Sequence, residues 1–162
     1  MMILELSSST FLMELVYSLR EELKHDKKNM EFAQKLTLDE SKPLLGLKGK
    51  YGLFGSDEWW KSIENKKIPL EYVSGIIKKC YVTGQDRGGV NNTVDLILED
   101  GTEKTIGIYV NHKDNIKKFI PGVVVQMVYG FDELKKQPSR DGKINYLRIP
   151  LEVAISQGKR AC

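Results

Sequence analysis

Val94-Asp95-Leu96-Ile97-Leu98-Glu99-Asp100-Gly101-Thr102 decides the class of the fold. Val94, Leu96 and Leu98 alternate with Asp95, Ile97 and Glu99, the period of a strand buried on one face. Asp100-Gly101 at its end is a hairpin signal, because both residues tolerate the positive φ that a tight turn between twisted strands requires. Residues 104–110 continue as a strand with Ile106, Ile108 and Val110 on one face. Upstream, residues 72–82 form a long β run that contains Gly75, followed by a polar, Gly-rich loop at 85–92. Downstream, residues 114–120 read as a short helix stopped by Pro121-Gly122. Residues 123–131 form a near-continuous apolar strand and 132–142 a charged loop. The last strand is 144–155, with Pro150 at a bend or edge.

The N-terminal part carries a different period. Leu12, Leu15, Val16, Leu19 and Leu23 fall on one stripe of a helix, with Ser7, Ser8, Ser9 and Thr10 as capping oxygens before it. After the polar break at 25–29, a short helix over 29–36 turns Met30, Ala33 and Leu36 inward. Thr37 to Glu40 has capping-box spacing, but Pro43 follows too soon for a long helix. Gly46, Gly49, Gly52 and Gly55 then punctuate a loop too apolar to be a solvated linker. Ser56 caps a third helix that carries Trp59, Trp60 and Ile63 and ends near Asn65.

The order strand, strand, strand, short helix, strand, strand resembles the OB fold, a five-stranded Greek-key barrel. Residues 94–102 are similar to the second strand and turn of OB domains. Phe119-Ile120-Pro121-Gly122-Val123-Val124-Val125 is similar to their helix exit and fourth strand. The resemblance covers 72–155, and an SH3-like or other small barrel shares the same signals. It implies an α+β protein, with N-terminal helices packed on a five-stranded OB-like antiparallel β-barrel. The expected division is a helical segment over 1–68, the barrel over 69–157 and a disordered tail over 158–162. Separately, Gly52-Leu53-Phe54-Gly55-Ser56-Asp57-Glu58-Trp59-Trp60, with Gly84-Gln85-Asp86, resembles a group of small bacterial proteins with an LFGS-x-EWW-type motif. That likeness implies no activity.

Composition narrows the function. Net charge is +3 from 25 basic and 22 acidic residues, well short of the bias of a dedicated nucleic-acid binder. No apolar run approaches a membrane span, and residues 1–20 lack the basic start and cleavage site of a signal peptide. The expected location is cytoplasmic. Cys80 and Cys162 define neither a disulfide framework nor a zinc site. His25 and His112 have no partner at metal-ligand spacing, no serine lies in a nucleophile elbow, and Gly84 to Gly89 is followed by no helix that could hold a phosphate. Asp95, Glu99, Asp100 and Glu103 match no cation-binding loop. No catalytic residue, metal or cofactor is expected.

Binding remains. An OB-like face would present Lys78, Lys79, Tyr81, Arg87 and Tyr109, a modest platform for single-stranded nucleic acid. Asp95 and Glu99 on the same side repel phosphate. Trp59 and Trp60 point about 100° apart on their helix: either both seal the junction between the helical part and the barrel, or the more exposed one anchors a partner. The expectation is a non-enzymatic binding module for a macromolecular partner, most readily another protein or a second copy of itself. Toxin-neutralising immunity proteins are one such class, since they need complementarity and no catalysis. Single-stranded nucleic-acid binding through the barrel face is the alternative.

Overall fold

The structure, a computed structural model, describes residues 2–8, 11–84, 89–135 and 142–157. Its regular elements are β1 (Met13–Ser18), α1 (Leu19–His25), α2 (Lys27–Leu38), α3 (Asp57–Glu64), β2 (Leu70–Tyr81), β3 (Thr93–Leu98), β4 (Glu103–Gly107), β5 (Val124–Glu133) and β6 (Tyr146–Ser156). Short 3-10 helices occupy Leu6–Ser8 and Lys113–Lys118. The second lies between β4 and β5, where the sequence places a helix. The protein is α+β, as expected, but the sheet has six strands in the order β1-β6-β5-β2-β3-β4. The expected five-stranded closed barrel is therefore corrected to a six-stranded open sheet. The extra strand comes from the segment read as the first helix.

That segment shows a long-range pairing overriding a local period. Val16 and Tyr17 suit a pleated surface. Tyr17 pairs with Val153 and Leu15 with Ala154 of β6, and a bulge lies between Leu15 and Tyr17. Leu12 is 73% exposed, so it never joined a buried stripe, while Leu19 and Leu23 of α1 keep their inward positions. Of the apparent 12–23 stripe, Val16 of the strand and Leu19 and Leu23 of α1 are buried while Leu12 and Leu15 are not, so the helical spacing joined residues of two different elements.

The chain divides into two compact units, one of Met1–Ser18, Tyr72–Val128 and Pro150–Cys162, the other of Leu19–Glu71 and Tyr129–Ile149. In the first, Ile77, Val94, Leu96, Ile106, Val123, Val125 and Met127 are buried as the alternation requires. Leu98 and Ile108 are half-buried. Asn111, just beyond β4, accepts from the Ser18 backbone N–H at 2.8 Å and donates to the Ser18 carbonyl at 3.1 Å. Its own N–H donates to the Val16 carbonyl at 3.0 Å. A side-chain amide here acts as a peptide group and ties the chain beyond one edge strand to the other edge strand. Unpaired edges invite aggregation, and these bonds occupy part of the β1 edge.

In the second unit, the Ser56 hydroxyl accepts from the Trp59 N–H at 3.2 Å and starts α3, with Asp57 and Glu58 in the first turn. Trp59 is 0% and Trp60 8% exposed. The Phe54 and Trp60 rings meet Trp59 edge-on at 5.1 and 4.9 Å, and the Arg20 guanidinium lies 4.2 Å over Trp60. Gly55 has φ +78°, and a Cβ there would stand 2.6 Å from Met30 Sδ, so only glycine fits. The apolar loop packs as its composition demands at Leu47, which is buried and bridges to Leu134. Leu44 and Leu45 stay exposed.

Asp132 and Glu133 belong to β5, not to the charged loop expected from 132 onward. Both are buried, so each needs a partner. Glu133 takes ion pairs from Lys48 at 3.2 Å and Lys50 at 3.6 Å. Asp132 Oδ2 accepts from Trp59 Nε1 at 2.9 Å, while Oδ1 meets no partner among the described residues. Burial pushes the Asp132 carboxyl above its ordinary value, against the opposing Trp59 hydrogen bond. A raised folded-state pKa favours the folded protein fully below the unfolded value, near pH 4, and that contribution is lost as pH rises through the folded value. Asp132→Asn keeps the shape and cannot ionise. Its stability relative to the parent is expected to improve between pH 4 and pH 7, read as urea midpoints. A difference that stays constant across that range contradicts the assignment.

Candidate binding face on β2, β3 and β4

Strand register builds this surface in three rows. In an antiparallel pair, directly opposed residues point to the same face. Ile76, Ile97 and Glu103 form the first row, Lys79, Asp95 and Thr105 the second, and Tyr81, Thr93 and Gly107 the third. The opposite face of the same strands is the core that holds Ile77, Val94, Leu96 and Ile106. A bulge between Ile77 and Lys79 brings Lys78 out to solvent as well.

Asp95 is the hub. Its Oδ1 accepts from the Tyr81 and Thr105 hydroxyls, each at 2.7 Å, and Lys79 lies 3.7 Å from Oδ2. The Thr105 and Tyr81 hydrogen bonds hold the carboxyl below the usual carboxylate range, and Lys79 adds to them. The Asp95 bond in turn raises the Tyr81 phenol. Lys79 also sits 4.9 Å over the Tyr81 ring. Lys78 pairs with Glu103, whose hydrogen bond raises the lysine. Tyr109 lies against Gly107, where a Cβ would stand 3.2 Å from its ring, and packs on Tyr17 at 5.8 Å. The first row is apolar at its centre, with Ile76 and Ile97 each 39% exposed, and Tyr72 of β2 is 57% exposed.

Of the residues singled out from sequence, Lys78, Lys79, Tyr81 and Tyr109 share this part of the fold. Arg87 lies outside the described residues. Trp59 and Trp60 lie in the interior, as in the reading that places both indoles inside. The amphipathic face of α3 is wide enough to bury both indoles, with Arg20 covering the outer one. The reading missed Ile76, Ile97 and Tyr72. The available signal was Ile97 itself, an isoleucine on the polar side of the β3 alternation.

The lysines here are poor phosphate ligands, because Lys78 and Lys79 already face carboxylates. Nor does the hairpin gather acids into a cation site: Asp100 accepts from Thr102 at 2.6 Å, and Asp95 and Glu103 are engaged as described. Groups of His, Cys, Asp and Glu able to hold a metal ion are absent among the described residues. Cys80 donates its thiol to the Phe119 carbonyl at 2.9 Å, and burial pushes its pKa up, away from the nucleophilic thiolate. Among the described residues, no helix is long and apolar enough to cross a membrane.

A face with an apolar centre and pre-paired polar neighbours has the anatomy of a protein–protein contact. Comparison with curated proteins gives no match. Comparison with family models does: residues 13–156, from the first residue of β1 to the last of β6, match the model of immunity protein RhsI2, and the chain belongs to that family of immunity proteins.

Proposed function

We propose that the chain neutralises its cognate toxin by binding it, without catalysis, through the β2–β3–β4 face. The carrying observation is the Asp95 hub with the neighbouring Lys78–Glu103 pair. These contacts neutralise the exposed lysines and fix the side chains before any partner arrives. Preorganisation lowers the ordering cost of association, and the row Ile76–Ile97 beside Tyr72 supplies apolar area to remove from water. The order β6-β5-β2-β3-β4 resembles that of an OB-like barrel opened between its third and fifth strands. The likeness supports reading the second and third barrel strands as the binding side. The free Cys80 thiol fits action in the reducing cytoplasm.

The test uses purified toxin and purified chain, both nuclease-treated, passed together over a sizing column at low and high salt. Co-elution at both salts is expected, because the proposed contact does not depend on counterion release. Separate elution overturns the proposal. Submicromolar, salt-sensitive retention of the chain by a short oligonucleotide promotes the nucleic-acid alternative.

A further inference from the structure

The two outer strands of the sheet are protected differently. β1 carries a bulge between Leu15 and Tyr17, and Asn111 bonds to its Val16 and Ser18 backbone. β4, the other outer strand, pairs with β3 over five residues without a register shift. It contains no proline, and no further strand lies beside it among the described residues. Bulges, prolines and covering segments are how proteins blunt an open edge. β1 has two of these devices, whereas β4 relies on the charges of Glu103 and Lys104.

The register fixes which backbone groups stand open. In an antiparallel ladder, residues bonded to the partner strand alternate with residues whose N–H and C=O point away from it. Just outside the two ends of β4, the Leu98 N–H donates to the Thr102 carbonyl at 2.8 Å and the Ile108 N–H to the Asn92 carbonyl at 2.9 Å. Lys104 opposite Leu96 and Ile106 opposite Val94 fall in the same phase and bond to β3. The N–H and C=O groups of Glu103, Thr105 and Gly107 therefore point off the sheet. Their side chains leave that edge clear: Thr105 is turned onto Asp95, Glu103 onto Lys78, and Gly107 has none.

We infer that an extended segment of the toxin adds to β4 as a seventh strand, bonded to the backbone of Glu103, Thr105 and Gly107. The inference rests on the reading that the chain binds a toxin through the β2–β3–β4 face, and it names the conformation of the toxin segment that meets that face. An open ladder is matched by extended backbone, the mode of strand addition. A strand added here supplies a fourth member to the row of Ile76, Ile97 and Glu103 and to the row of Lys79, Asp95 and Thr105. The edge is thus continuous with the apolar centre of the face. A second copy of this chain fits the edge poorly. In the two-fold register that uses all of β4, Glu103 opposes Gly107 and Lys104 opposes Ile106, so neither charge meets its opposite. The next register toward the hairpin sets Lys104 against Lys104, and like charges directly opposed are destabilising. For the same reason the toxin residue opposite Glu103 is not acidic.

The experiment is amide hydrogen exchange of the full chain, resolved by residue with NMR, alone and with purified toxin. The Glu103, Thr105 and Gly107 amides are expected to exchange quickly in the free chain and at least about tenfold more slowly in the complex, while those of Lys104 and Ile106 are protected in both. Toxin affinity is then compared for Glu103→Pro and Glu103→Ala, with melting temperatures as the check on folding. Both variants lose the pair with Lys78, but only proline removes the outward N–H, and the first residue of an edge strand tolerates it. Glu103→Pro is expected to bind about tenfold more weakly than Glu103→Ala. Where the proline variant melts early, exchange in the parent decides. Unprotected 103, 105 and 107 amides in a complex that Ile97→Asp weakens overturn strand addition and leave the face standing. Equal affinity of two folded Glu103 variants overturns it too. Failure of the parent to bind toxin overturns the underlying reading together with this one. Protection of the three amides in the free chain that grows with its concentration assigns the edge to a second copy and overturns the proposal.

Discussion

Replacing Ile97 by aspartate is expected to weaken toxin binding by about thirtyfold or more, roughly 2 kcal/mol. Ile97 lies at the centre of its row, opposite Ile76 on one side and Glu103 on the other. A carboxylate there would be desolvated in the complex without a partner and would stand beside Glu103. Its side chain points away from the core residues Val94 and Leu96, so folding should tolerate the change. Isothermal titration of the parent and variant with toxin measures the effect. Parental affinity in a folded Ile97→Asp variant removes the β2–β3–β4 face from the account.

The second large effect falls on stability. Trp59→Ala is expected to cost about 3–5 kcal/mol, from the lost ring volume and the cavity left behind. That is a large part of the 5–15 kcal/mol typical of a folded domain. The indole is fully buried, touches the Phe54 and Trp60 rings and supplies the hydrogen bond to Asp132. Trp59→Phe keeps most of the volume and removes the donor, so it isolates the buried carboxyl's loss, about 1–3 kcal/mol. Chemical denaturation of the three proteins at neutral pH gives both numbers. A Trp59→Ala variant within 1 kcal/mol of the parent would mean the site collapses around the gap.

What could be read from the chain was local. The alternation in 93–98, the Asp100-Gly101 turn and the Ser56 cap each specify their own geometry through neighbouring residues, and each stands in the structure. The strand β1 was not legible, because its partner in β6 lies more than a hundred residues away and its apolar spacing also satisfies a helix. Asp132 and Glu133 looked like loop charges, because the tryptophan and the lysines that satisfy them are distant in sequence. For Trp59 and Trp60 the sequence left two readings, both indoles inside or the more exposed one at the surface. Adjacency on a helix gives their angle but not the width of the buried face. The binding face was half visible. Lys78, Lys79, Tyr81 and Tyr109 could be named, but the neutralisation of both lysines depends on cross-strand partners that only the register reveals.

Titration of a fixed amount of active toxin with increasing amounts of the chain tests the central claim most directly. Toxin activity should fall linearly and vanish at a fixed molar equivalence near one, reached at once and unchanged on longer incubation, as stoichiometric binding requires. Inactivation that proceeds with time at far less than one equivalent would contradict the account, because it would show turnover where only binding is proposed.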